Sequence, residues 1–331
     1  MAARTSQEEL RRRRRRRLAK GLLIGGAALG VPALINAMMS RRSERLRNAT
    51  WGRPHRYAWT HGEIHFQRLG DGDPIVLLHS FGPGHDSEEW RAVAEYLAQK
   101  FKVIIPDLLG WGRSDKPRIT YDGELYIGQV FDFLEDVVRE PCTLVAAGLP
   151  AAYAIQAAAD HPELVKALAL VGPYGIDLHG EDPDIKDALV HRLLQVPIIG
   201  TSALNLYTSR TAIQQYLNRE VFASTESVDA SHIDHYYRSS HQPGSHAPLA
   251  AYLSGYLNHS AEEVLSRLQL PIWLGWGRHA KSPPVETADL WLSRLPKAEL
   301  EVFEHGGSLP HLEVPARFWQ KIESFILASA N

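Results

Sequence analysis

From Thr143 to Ala154 the chain carries one side chain larger than leucine, Tyr153, and it sets a glycine, Gly148, at the junction of two patterns. Residues 143–147 form a short apolar run of strand type, and the alanine-rich residues 149–154 read as the opening of a helix. A strand that turns directly into a helix bends over very few residues, and glycine tolerates the strained backbone this needs. Small residues on both sides let the strand and the helix approach closely. Strands alternating with helices in this way predict an α/β domain.

The same strand-then-loop arrangement recurs along the chain. Pro74-Ile75-Val76-Leu77-Leu78 runs into His79-Ser80-Phe81-Gly82, and Lys102-Val103-Ile104-Ile105-Pro106-Asp107 into Leu108-Leu109-Gly110-Trp111-Gly112-Arg113-Ser114-Asp115-Lys116-Pro117. Further on come Ala167-Leu168-Ala169-Leu170-Val171, then Pro271-Ile272-Trp273-Leu274-Gly275-Trp276-Gly277, and finally Gly306-Gly307-Ser308-Leu309-Pro310-His311-Leu312-Glu313-Val314-Pro315. From Gly62 to the C-terminus these strings resemble the α/β-hydrolase fold, the D-x-x-G-x-G-x-S-D-x-P string among the most specifically. The resemblance implies a mostly parallel eight-stranded sheet with a helical cap inserted after the sixth strand. His79, Ser80, Phe81 and Gly82 then correspond to the oxyanion loop, and Gly148 with Leu149 to the nucleophile elbow, written G-x-S-x-G in active members.

Against that pattern, Ala146, Gly148 and Pro150 fill the three elbow positions, so the nucleophile's place holds no hydroxyl. Three residues after Gly277, the acid's place is Ala280. The base's place in the closing loop is Ser308. No acid stands after the strand ending at Val171 either, where Gly172, Pro173 and Tyr174 follow. A Ser-Asp-His triad is therefore absent at its expected positions. Removing the nucleophile or base of such a triad costs about 10⁶ in turnover, which would leave too little for a physiological esterase. Ser80, Ser308 and His311 are the candidates for a displaced catalytic set, although His311 reads better as an orienting or packing residue. Cys142, the only cysteine, sits at the start of its strand and reads as a core residue. Among sixteen histidines, His232 and His235 share one helix face, with His241 and His246 beyond. No H-E-x-x-H or Cys/His spacing accompanies them, so neither a metal nor another cofactor is expected.

Charge is divided sharply. Residues 1–50 carry a net +10, largely from Arg11 to Arg17 and from Arg41, Arg42, Arg45 and Arg47, which leaves −12 for residues 51–331. An acidic folded part argues against nucleic-acid binding there. From Gly21 to Met39 run nineteen uncharged residues with one strongly polar side chain, Asn36. As a helix this stretch would span roughly 28 Å, close to the roughly 30 Å of a hydrocarbon core. A single transmembrane anchor is favoured over a hairpin dipping into one leaflet, a cleaved export signal and a buried soluble helix. Basic clusters on both flanks leave the orientation open.

The expected organisation is a basic tail (1–20), a hydrophobic membrane segment (21–39), a linker (40–60), a hydrolase-fold core (61–175 and 260–331) and a helical cap (176–259). Within the cap, helices are expected over residues 184–196, 202–220 and 230–240, with aromatic residues such as Tyr207, Tyr216 and Tyr252 suited to a hydrophobic pocket. Function is expected to be that of a membrane-anchored, catalytically inactive member of this fold that binds an apolar small molecule or a membrane protein partner. The alternatives are a hydrolase of lipid-like esters with a displaced catalytic set, and a structural subunit of a membrane complex.

Overall fold

A computed structural model describes residues 30, 32–34, 36–38, 46, 51–176 and 183–329. Eight strands form one sheet: β1 (Arg53–Trp59), β2 (Gly62–Leu69), β3 (Pro74–Leu78), β4 (Lys102–Pro106), β5 (Cys142–Ala147), β6 (Val165–Val171), β7 (Ile272–Gly277) and β8 (Glu299–Phe303). Their order is β1-β2-β4-β3-β5-β6-β7-β8. Only β2 runs antiparallel to its neighbours, pairing with β1 and β4. The apolar runs are continuous because both sheet faces are covered: Val76 and Leu78 face one core cluster while Ile75 and Leu77 face the other. β1 begins inside the segment expected to be a linker. Its residues are mostly exposed, so no alternating apolar pattern announced it.

The core helices are α1 (Arg91–Leu97), α2 (Gly123–Phe133), α3 (Pro150–Asp160), α9 (Ala288–Arg294), the short α10 (Pro310–Glu313) and α11 (Pro315–Ser329). Between β6 and β7 lie the cap helices α4 (Ile185–Gln195), α5 (Ile199–Tyr207), α6 (Arg210–Tyr216), α7 (Ala230–Ser240) and α8 (His246–Leu253). The single helix expected over 202–220 is in fact two. Ser209 interrupts it by turning its hydroxyl to the Ala212 amide as an N-cap, at 3.3 Å.

Much of the expected membrane segment lies outside the described residues. Its last part is helical at 30, 32–34 and 36–38, and it leans on the cap. The Asn36 amide donates to Ile198 O (3.2 Å) and Ser202 Oγ (3.0 Å) and accepts from Asn205 Nδ2 (2.9 Å). The one polar residue of the stretch is thus satisfied by protein. Among the described residues no helix is long and apolar enough to cross a membrane, so the spanning helix expected from Gly21 to Met39 gains no support there.

Sheet topology places the site. β3 and β5 are neighbours with Leu78 opposite Ala146, so the loop after β3 and the turn after β5 emerge side by side at one sheet edge. The loop after β8 joins them there, because β7 ends beside β8 with Gly277 opposite Phe303.

Candidate functional site

Gly148 has φ +65°, a left-handed conformation that a non-glycine residue would enter at a cost of about 1–2 kcal/mol. Its amide donates to Val171 O (2.9 Å), and its carbonyl accepts from the Ala151 and Tyr174 amides (3.2 and 3.3 Å). Pro150 opens α3 at the first helical position, where its missing N–H costs nothing. The elbow backbone is complete. A Cβ added at Gly148 would stand 2.5 Å from Ser80 Oγ, so the hydroxyl of the neighbouring loop fills the space above the turn.

The rest of the family-like loops are held by their own side chains. His79 is fully buried: one ring nitrogen bonds Ser80 O (2.7 Å) and the other accepts from the Leu108 amide (3.0 Å), tying the β3 loop to the β4 loop. Asp107 accepts from the Ser87 and Arg113 amides, both at 2.8 Å. Burial would raise its pKa, but His65 and Arg113 outweigh that and hold it below the usual carboxylate range. Gly112, at φ +50°, has no room for a Cβ because the Asp107 carboxylate occupies it. In the closing loop, the Glu313 carboxylate binds the Gly307 amide and the cap's Ala223 amide (2.9 Å). These motif residues build the cleft without entering it.

A cavity of about 590 Å³ lies between this edge and the cap. Ser80, Phe81, Gly148, Leu149 and Ser308 line it, together with Tyr174, Tyr207, Tyr216 and Tyr252. His79, Gly82, Ala280 and His311 do not line it. Ser308 Oγ faces the Lys281 and Ser282 amides at 3.2 and 3.4 Å, as their acceptor. Ala280 is buried and offers no polar group. His311 is fully buried and stacked on Trp90 with ring centroids 3.8 Å apart. Burial lowers its pKa, which favours a neutral ring, and neither ring nitrogen has a hydrogen-bond partner among the described residues. His311 does not reach the cavity that Ser80 lines.

A second histidine does reach it. Glu89 is buried and accepts from the Ser80 amide (2.7 Å) and from His85 Nδ1 (2.9 Å), and it lies 3.6 Å from His311 Nε2. Burial would raise its carboxyl, but the imidazoles of His311 and His85 outweigh burial and bring it down to about 2. The carboxylate fixes the proton of His85 on Nδ1, an assignment made from its partners. His85 Nε2 then accepts from the cap's Tyr216 hydroxyl at 2.8 Å. Burial raises Tyr216 well above the usual phenol range, so it remains protonated. Tyr216 and His85 both line the cavity. The sequence signal for this array was a bare His85-x-x-x-Glu89 spacing, in a segment without helical periodicity.

The cap histidines are engaged singly. His235 Nε2 meets both oxygens of buried Asp86 at 2.9 and 3.0 Å, His232 Nδ1 caps its own helix at Asp229, and His241 Nδ1 donates to Tyr237 O. No group of three or more His, Cys, Asp or Glu disposed around a metal occurs among the described residues. Cys142 is buried in β5, and burial pushes its thiol up to about 12.

Sheet order, elbow and closing loop together define an α/β-hydrolase fold. The sequence profile of the alpha/beta hydrolase family matches residues 75–321, and the chain belongs to that family. An uncharacterized protein of Mycobacterium tuberculosis is 31% identical over 274 residues, covering 79% of this chain and 77% of its own. A 2-hydroxymuconate semialdehyde hydrolase of a Pseudomonas species is 27% identical, covering 78% and 88%. Among solved structures, a bacterial membrane phospholipase A superposes with TM-score 0.69 at 22% identity, covering 96% of this chain and 99% of that one. At that identity the likeness concerns the fold.

Proposed function

We propose that this chain is a membrane-associated member of the family that binds an apolar small molecule carrying a hydroxyl group, and does not hydrolyse esters by the serine mechanism. The observation that carries this is the elbow: its backbone is intact, while Gly148 supplies no nucleophile and Ser80 occupies the space one would need. Ser308, at the base's place, has no proton-accepting nitrogen. The aromatic walls supply apolar burial at about 25 cal/mol per Å² before binding costs. The Tyr216 oxygen, its proton committed to His85, accepts one hydrogen bond from a ligand hydroxyl. Membrane association rests on the uncharged run from Gly21 to Met39 between its basic flanks.

Two measurements on purified protein test this. Treatment with a broad fluorophosphonate leaves the intact mass unchanged, and long-chain alcohols raise the melting temperature more than alkanes of equal length. Stoichiometric labelling at Ser80 would instead point to a displaced catalytic set, the chemistry suggested by relatives named as hydrolases and esterases. No thermal shift with any apolar ligand, together with one stable membrane protein co-purifying, would favour an assembly role.

A further inference from the structure

Helix α4 is built inside out. With a 3.6-residue period, Ile185, Leu189, Leu193 and Val196 fall on one stripe, and that stripe faces outward: the first three are 90%, 69% and 55% exposed. The opposite face carries the polar contacts. His191 Nδ1 bonds Ser254 Oγ at 2.9 Å and its ring stacks on Tyr256, with Leu194 packed nearby against the cap's small apolar cluster. No residue of α4 is buried. A cap helix turned only toward water would show the reverse arrangement.

The neighbouring helix α5, against which α4 packs, also exposes Ile199 and Leu206, the latter 74% exposed. The same helix holds Asn36 through Ser202 and Asn205, with Ile198 just before its first turn. The end of the uncharged N-terminal run is thereby fixed beside this apolar face, with its own Leu34 and Met38 exposed. Lys186 and Arg192 flank the α4 stripe, where long cationic side chains reach lipid phosphates while their stems stay apolar. The arginines before and after the run carry the same sign. Tyr207, the last residue of α5, also lines the cavity, so this helix adjoins it.

We infer that the outer face of α4 and α5 is a bilayer-contacting surface that seats in one leaflet beside the run from Gly21 to Met39, giving apolar ligands a route from lipid to the cavity. This uses the membrane association proposed above but adds a contact made by the folded cap itself. The test exploits Cys142, whose burial leaves introduced cysteines as the labelling sites. Full-length Leu193→Cys, Leu206→Cys and, on core helix α9, Leu290→Cys are labelled with an environment-sensitive fluorophore. Each is reconstituted in phosphatidylcholine vesicles with about one-third phosphatidylglycerol, then exposed to lipids spin-labelled near the headgroup.

Labels at 193 and 206 are expected to be quenched several-fold more than the label at 290. Adding Leu189→Glu to the Leu206→Cys chain should reduce its quenching with the melting temperature kept. If the full chain floats with vesicles while all three labels are quenched equally, the N-terminal run anchors the protein and the cap face does not touch lipid. Self-quenching at 206 that rises with protein-to-lipid ratio would assign the face to a second copy instead. If the full chain does not float and no label is quenched, membrane association itself fails.

Discussion

The turn after β5 and the loop after β3 emerge side by side at the cavity, and they differ in what their residues can do. After β5, after β7 and in the closing loop, the positions are Gly148, Ala280 and Ser308, none of which titrates near neutral pH. On the β3 side, a buried carboxylate, an imidazole and a phenol are joined end to end through Glu89, His85 and Tyr216. A joined carboxylate, imidazole and phenol therefore mark the β3 wall, where they connect core to cap. A floor whose Gly148 carries no side chain, beside a wall with a fixed hydrogen-bond direction, is the arrangement on which the proposed binding role rests.

If the wall is the organised part, it should be costly to remove. Glu89→Ala strips the partner of the Ser80 amide and of His85 in a buried setting, and is expected to cost about 3 kcal/mol in urea unfolding. Ser308→Ala, which removes two long hydrogen bonds at an exposed edge, should stay within about 1 kcal/mol. Equal losses would erase the distinction between wall and floor. Because the Glu89 carboxyl is held down to about 2, its contribution is complete above its ordinary value of 4.5 and is lost as pH falls toward 2. The wild type should lose this stability on acidification, and the alanine variant should not.

The floor can be challenged directly. Gly148→Ser meets both the left-handed backbone and the Ser80 hydroxyl, and should destabilise by about 2 kcal/mol without gaining esterase activity. Combining it with Ser80→Gly clears the contact and should recover about half of that loss, a coupling readable in a double-mutant cycle. Strictly additive effects would mean that the two residues do not share the space.

Tyr216→Phe tests the wall as a binding group. It leaves the ring in place, and should weaken binding of a long-chain alcohol by roughly five- to ten-fold while leaving an alkane unaffected. An equal effect on both ligands would make Tyr216 a packing residue only.

Much of the floor was legible because motif residues such as Asp107, Gly112 and Gly148 are fixed by local backbone demands that leave a mark in short strings. The wall was not. His85 meets Tyr216 only because a cap residue 131 positions away folds down onto the β3 loop, and no local pattern encodes that approach. The same reason hides the docking of Asn36: within its own segment it is merely the odd polar residue, and its partners lie on α5, more than 160 positions distant. β1 escaped for a different reason, since an exposed edge strand has little apolar periodicity to show.

The cap is joined to the core at a second point, away from the cavity, where His235 of α7 meets Asp86. Burial works against charge on both, yet their mutual attraction prevails: Asp86 is held below its ordinary 3.8 and His235 above its ordinary 6.5, with Glu88 supporting the imidazolium and Arg113 opposing it. The histidine's raised value means that its contribution is complete below pH 6.5 and is lost as pH rises through the higher folded value. The aspartate's lowered value means that its contribution is complete above pH 3.8 and is lost as pH falls below that. This cap latch is therefore strongest between those two limits and loosens on the alkaline side. His235→Gln keeps a donor for Asp86 without the titration. The difference in melting temperature between wild type and variant should be largest near pH 5 to 6 and shrink as pH rises further, with hydrogen exchange of α7 speeding in parallel in the wild type alone. A constant difference across that range would show that the Asp86 contact is held by its hydrogen bond rather than by charge.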